Sequence, residues 1–333
     1  FQGSPKHPCH SGGSTEEPYA DSYNSSLGRY CDQYDPDEVN SAGAIRFGQD
    51  IRTESAAGGV QGDLVSGRDI KLHSNAPING NISYAGVCEV TQGGASNCSE
   101  VQESGPYSVT ERNRMQPTPS IDFAIDNTVD SVHQSGSEVD IGDGADQNST
   151  LEAGEYYTDS LALDDEEVTF DTSSGDITLV VNNSIELLDG SNLTVTGENN
   201  ANIYVDGAGP TADELLVRNS DVFAPNNTAS KLTVLGRGNF TATIEDGSFT
   251  GVIYAPVGTE GSGSVDIFGG GSLFGAVVTG DLTVGGTGGS GGGAGATLHY
   301  DEQLFDQRVV PPDQTIIRLT FMHVTENSIS VSG

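Results

Sequence analysis

The chain has 333 residues and carries 48 acidic against 13 basic side chains, a formal charge of −35. Nothing in that balance neutralises nucleic-acid phosphates or favours anionic lipid, and no stretch approaches the ~18 consecutive apolar residues of a spanning helix. Only 34% of residues are hydrophobic, but glycine supplies another 45, and each glycine inside a helix costs about 1 kcal/mol, so the composition excludes a helical protein.

The length suits two ordinary domains of about 150 residues or one long β domain. Disordered acidic chains gather their charge in blocks and lack periodic strands. Here the acids are scattered and short β-type runs recur. With Lys6, Lys71 and Lys231 the only lysines, the acidity reads as adaptation to high salt, where a Debye length of about 3 Å at ~1 M screens self-repulsion.

Phe1-Gln2-Gly3-Ser4 reads as a tag remnant (1–4), so a natural signal or membrane anchor is expected to have been removed. The four cysteines form two sequence-local pairs, Cys9 with Cys31 and Cys88 with Cys98; three connectivities are open. Disulfides imply an oxidising compartment and export. His7, Cys9, His10 and Cys31 are the zinc alternative, unsupported by any CxxC spacing. Eight Asn-x-Ser/Thr sequons, at Asn24, Asn81, Asn97, Asn148, Asn182, Asn192, Asn226 and Asn239, also favour an extracellular glycoprotein of the cell surface.

In chain order, residues 5–43 read as a loop-rich cap held by Cys9–Cys31. Residues 44–90 carry the first β-helical coils, with runs such as Asp69-Ile-Lys-Leu72 between glycines. Residues 91–150 are a polar excursion with room for one short helix near Ile121–Val129. From 151 to 305 the pattern is consistent: Val168-Thr-Phe170, Ile177-Thr-Leu-Val-Val181, Leu193-Thr-Val195, Ile203-Tyr-Val205, Leu232-Thr-Val234, Val265-Asp-Ile267 and Leu282-Thr-Val284 alternate apolar with polar between turn residues. Residues 306–333 form a C-terminal strand segment.

Gly247-Ser-Phe-Thr-Gly-Val-Ile253 recurs 24 residues on as Gly271-Ser-Leu-Phe-Gly-Ala-Val277, and Ile244 aligns with Phe268 at the same offset. A short-strand repeat of that length suggests a solenoid whose coils bury their inward positions against neighbours. The expected fold is all-β, a right-handed parallel β-helix with about six coils in the later body; a β-sandwich is the alternative.

Gly251-Val-Ile-Tyr-Ala-Pro256, the Gly271–Val278 repeat and Leu298-His-Tyr-Asp-Glu-Gln-Leu304 resemble the β-helical domain of haloarchaeal pilin-like surface proteins and PilX-type pilus-assembly proteins. Leu151-Glu-Ala-Gly-Glu-Tyr-Tyr157 is similar to that domain's opening, and Phe321–Asn327 to C-terminal strands of pilin-like proteins. The resemblance implies a structural or adhesive, pilus-associated role, with other surface or pilus proteins or extracellular glycans as partners. It brings no catalytic residues and no cofactor.

The alternative is a polysaccharide-active β-helix enzyme, which needs two carboxylates held across a cleft. The densest acidic run, Asp164-Asp-Glu-Glu167, reads as a solvated turn instead, because neighbours on a strand point to opposite faces. Tryptophan is absent; Tyr84, Tyr204 and Tyr254 remain as sugar-stacking side chains or as packing. Asp140, Asp143 and Asp146, with Gly142 and Gly144, fit either a structural Ca²⁺ loop or a solvated one, and Asp32, Asp35, Asp37 and Glu38 are a second such group. His299 lacks ligand partners in sequence and reads as structural. The glycine tract 285–295 contains no Gly-Lys-Ser/Thr and reads as a flexible loop, not a phosphate cradle.

Overall fold

The computed structural model describes residues 20–33, 44–47, 51–53, 60–61, 63–66, 70–73, 78–79, 81–84, 86–92, 98, 109–111, 121–142, 148–207, 214–255, 263–284 and 296–306. Within them the protein is a parallel β-solenoid, and every strand pairing is parallel. That arrangement sets aside the antiparallel sandwich.

Three rows of strands make up the main body. The front row runs through Asn148–Glu152, Glu167–Asp171, Asn192–Thr196 and Asp221–Phe223. The flank row comprises Gly154–Thr158, Ile177–Val181, Ala201–Val205 and Leu232–Gly236. The base row comprises Ile141–Gly142, Leu161–Asp164, Ile185–Leu188, Leu215–Arg218, Thr241–Glu245, Ser264–Phe268 and Asp281–Val284. Two long strands, Ser248–Ala255 and Ser272–Thr279, serve the front row with their first halves and the flank row with their second. The bend falls at Gly251 and Gly275, which stack on each other. Gly275 has φ +143, and a Cβ there would lie 1.9 Å from the Gly251 carbonyl oxygen, so only glycine fits.

Alternation sends one side chain of every two inward. Leu163, Leu187, Val217, Ile244 and Ile267 form one such column; Val168, Leu193, Val222, Phe249, Leu273 and Leu298 form another; both belong to one buried core. The corner between base and front rows repeats a left-handed residue at Asp165, Asp189, Asn219, Asp246 and Gly269, with φ 57, 49, 49, 53 and 65°. Asp and Asn tolerate this conformation through local side-chain hydrogen bonds, and glycine adopts it freely.

The 24-residue repeat is spatial in the long strands, where Ser248 pairs with Ser272 and Ile253 with Val277. It slips in the base row: Ile244 pairs with Ile267, not Phe268, and Phe268 lies beside Glu245. The corner Gly269-Gly-Gly271 has one residue more than Asp246-Gly247 and absorbs the difference.

Stack order departs from chain order. The strand Thr297–Asp301 closes the front row of the main body, and its next neighbour is Ala20–Tyr23, with Ala20 opposite Leu298 and Tyr23 opposite Asp301. Beyond this seam the N-terminal coils continue the solenoid. Val60–Gln61 and Ile78–Asn79 extend the front row, while Ile51–Thr53, Ile70–His73 and Cys88–Gln92 extend the base row. Ala44–Phe47, Asp63–Ser66, Ile82–Tyr84 and Val109–Glu111 form a separate four-stranded sheet. The base row thus has ten strands, which at ~4.8 Å each make a stack of roughly 45 Å.

The chain therefore enters at mid-stack, climbs to one end, and must return to the other. Helix α2 covers the part of that return that runs along the main body; it spans Asp122–Ser135, and helix α1 is the single turn Tyr30–Gln33. Ile121, Ile125, Val129 and Val132 lie on Val180, Tyr204, Leu235 and Tyr254, one outward side chain from each successive flank strand. Fourteen residues at 1.5 Å per residue cover about 20 Å, close to four coils at ~4.8 Å. The short helix expected near Ile121–Val129 is thus present, and longer.

Candidate functional site

The flank row is covered by α2, whereas the front row offers an open surface. Thr150, Thr169, Thr194 and Phe223 are successive outward neighbours on that row. Thr150 is exposed, Thr169 and Thr194 are half-exposed, and Phe223 is 41% exposed. None of the three threonine hydroxyls is bonded to a described residue, so the column presents three hydroxyls about 4.8 Å apart and ends on an aromatic ring. On one side stand Glu152, Asp171 and Thr196; on the other, Glu167, Asn192 and Asp221. The flanking groups are largely engaged locally. Asp171 Oδ1 accepts from the Ser173 N–H at 2.9 Å, and hydrogen bonds from Ser173 hold this carboxyl below its usual range. Asp221 Oδ1 accepts from the Ser248 N–H at 2.9 Å and its hydroxyl at 2.6 Å.

Further along, the front row is closed. Thr250, Phe274 and His299 are paired neighbours, and all three are buried. The ring of Tyr30, carried by α1, lies 4.0 Å from His299 and 5.4 Å from Phe274, and Tyr23 meets Tyr30 edge-on at 5.8 Å. Asp301, with no exposure, accepts from the backbone N–H groups of Ser25 at 3.1 Å, Gln303 at 3.1 Å and Ala229 at 3.2 Å. The Tyr23 hydroxyl donates to the Asn227 carbonyl. His299 and Asp301 are both fully buried, in keeping with the structural reading of His299. They fasten the N-terminal coils to the main body.

The other predicted residues are dispersed. Asp164, Asp165 and Glu167 are exposed around the first left-handed corner and Glu166 is half-buried there, as a solvated turn requires. Tyr204 and Tyr254 are 5% and 4% exposed beneath α2, so they pack and do not stack sugars; burial pushes the Tyr254 hydroxyl up to about 12. Tyr84 packs on the core of the N-terminal coils. Asp140 is exposed before the strand Ile141–Gly142; Asp143 and Asp146 lie outside the described residues, as do Asp35, Asp37 and Glu38, while Asp32 is exposed on α1. Among the described residues no three His, Cys, Asp or Glu side chains are grouped to hold a metal.

Cys88 and Cys98 form a disulfide with Cα atoms 6.0 Å apart. Cys31 is disulfide-bonded too, which removes it from the zinc alternative; its expected partner Cys9, with His7 and His10, lies outside the described residues. Of the sequons, Asn24, Asn81, Asn182, Asn192 and Asn239 are half-buried and Asn226 is exposed; the side chains of Asn97 and Asn148 are outside the described residues, and so is the glycine tract 285–295.

A family model described as a domain of unknown function (DUF7305) matches residues 106–307, more than half of the chain. The chain belongs to this family. The DUF7305 match begins at the top of the N-terminal coils, includes α2 and every coil of the main body, and ends at the seam. No curated protein and no solved structure matches the chain. Sequence reasoning missed the seam and the covered flank. The second had a signal: Ile177-Thr-Leu-Val-Val181 and Ala201-Asn-Ile-Tyr-Val205 are apolar on both faces near their ends, the mark of a strand buried on both sides.

Proposed function

We propose that this DUF7305 protein is a non-enzymatic, exported cell-surface protein of a halophilic archaeon, acting structurally or adhesively and in association with pili. The observation that carries the reading is the open front face, where hydroxyl, amide and carboxylate groups and one exposed ring lie in rows along stacked coils. Such rows suit extended contact, whereas glycoside hydrolysis needs paired carboxylates across a cleft. The disulfide Cys88–Cys98 fits an oxidising compartment, and the charge of −35 fits a saline one. We infer a right-handed coil, the hand that parallel crossover connections take in almost all sheets. Partners on this reading are other surface or pilus proteins or extracellular glycans.

The test is surface labelling of intact cells, combined with incubation of the purified protein with a panel of polysaccharides in molar salt. Labelled protein and retention of a polysaccharide without release of reducing ends is the expected result. Release of oligosaccharides would replace this reading with a polysaccharide-active enzyme.

A further inference from the structure

We propose that Asn226 is an N-glycan acceptor which the folded protein presents ready for modification, and that the embedded sequons are closed by the fold. Modification requires the acceptor amide and the hydroxyl two residues on to be reached together, so the whole Asn-x-Ser/Thr segment has to leave its surroundings. For most of the sequons that means extracting core. Asn192-Leu-Thr194 lies in a front strand paired on both sides, and Leu193 is 2% exposed. Asn239-Phe-Thr241 contains Phe240, 1% exposed, and Thr241 is bonded through its N–H and hydroxyl to Glu214 at 2.6 and 2.8 Å. Asn81-Ile-Ser83 contains the fully buried Ile82. In Asn24-Ser-Ser26, Ser25 is 5% exposed and its N–H is held by Asp301. Asn182 spends its amide on Asp159 Oδ1 at 3.0 Å.

Asn226-Asn-Thr228 is different in kind. It occupies the 3-10 turn Pro225–Asn227, outside all three strand rows. Asn226 is exposed, sits at φ 54°, ψ 26°, and its side chain bonds to no described residue. Neither Asn227 nor Thr228 belongs to the core, and the turn is closed by Asn227 N–H to Ala224 O at 3.1 Å and Thr228 N–H to Pro225 O at 2.8 Å. Asn227 ties it to the body, its carbonyl accepting from the Tyr23 hydroxyl and its amide donating to Thr250 Oγ1 at 3.3 Å, while the side chains of Asn226 and Thr228 bond to no described residue. The Asn226 amide therefore projects from a fixed turn beside Phe223, at the edge of the open front face.

The step is a transfer from a lipid-phosphate-linked oligosaccharide. The Asn226 Nδ2–H bond breaks and an N–C bond forms to the anomeric carbon. The C–O bond to the phosphate breaks with its electron pair on the phosphate, and the proton passes to solvent. In the cell this rests on the export proposed above, whereas the reactivity of the folded acceptor does not, so the two fail separately.

The experiment incubates the folded, disulfide-intact full chain with an oligosaccharyltransferase and such a donor, the enzyme being first qualified on the reduced, unfolded chain. Among the six sequons whose side chains are described, peptide mass mapping should find a glycan on Asn226 alone, lost in Asn226→Gln and Thr228→Ala and retained in Asn239→Gln. Equal modification of Asn192 or Asn239 in the folded chain would overturn the proposal, as would a folded chain left unmodified at Asn226 while the unfolded chain reacts.

Discussion

At Asp301 a carboxylate without exposure accepts three backbone N–H groups from three separate segments, the turn at Ser25, the turn at Ala229 and the one at Gln303. Removing it strands donors that are expensive to leave unmade, roughly 1–3 kcal/mol each. Asp301→Ala should therefore lower stability by about 3 kcal/mol or more, and Asp301→Asn by less, both read from denaturant midpoints. Tyr254 gives a pH test. Its hydroxyl is raised to about 12 by burial against an ordinary value near 10, so in that interval the folded chain holds a proton that the unfolded chain has released. Stability should then fall as pH rises from 10 to about 12, by at most about 1.4 kcal/mol per pH unit. Tyr254→Phe should remove that part of the alkaline slope in thermal melts. The structural role of His299 was legible from its lack of ligand partners in sequence, though its complete burial was not. Asp301 was not, because its three donors lie as far as 276 residues away along the chain.

Strands were the most legible elements, since the period of two in segments such as Asn192–Thr196 reports its buried face directly. Helix α2 was only half legible: Asp122–Ser135 mixes four buried apolar residues with a polar majority, and what fixes it is the apolar outer face of the flank row. The helix is also clipped by charge. Arg237 bridges Asp206 and Asp126, and Asp122 Oδ1 accepts the Gly238 N–H at 3.1 Å. Ile125, fully buried between helix and flank, should cost about 2–5 kcal/mol when cut to alanine. Phe123, two residues away on the same helix and 73% exposed, should change stability by no more than about 0.5 kcal/mol. Equal losses in chemical denaturation would mean that α2 does not pack on the flank row as described.

Across the whole molecule the charge is uneven. Seven of the 13 basic residues fall between Arg29 and Arg114, while from 115 to 306 only Arg218, Lys231 and Arg237 oppose the acids. Folding draws those acids onto one compact surface, and salt shortens their reach. Thermal midpoints should rise between about 0.05 M and about 3 M KCl, followed by circular dichroism, with the main body gaining most. A flat or falling series would remove high salt as the explanation of the acidity. The solenoid itself was legible because its repeat is local; the seam was not, because nothing in a sequence periodicity says which coil is the neighbour of the first. That seam has a consequence for biosynthesis. Residues 20–111 leave the ribosome before the template for their lowest strand, Thr297–Asp301, which is made roughly 270 residues later. Solenoids in chain order assemble as they emerge, each repeat on the one before. Here the strands between Ala20 and Glu111 have to remain available, unstacked, until the strand at Thr297 has been made. A nascent chain halted short of Thr297 should accordingly show the strands Ala20–Tyr23, Ile51–Thr53 and Ile70–His73 open to hydrogen exchange, and one released a few residues past Asp301 should show them closed.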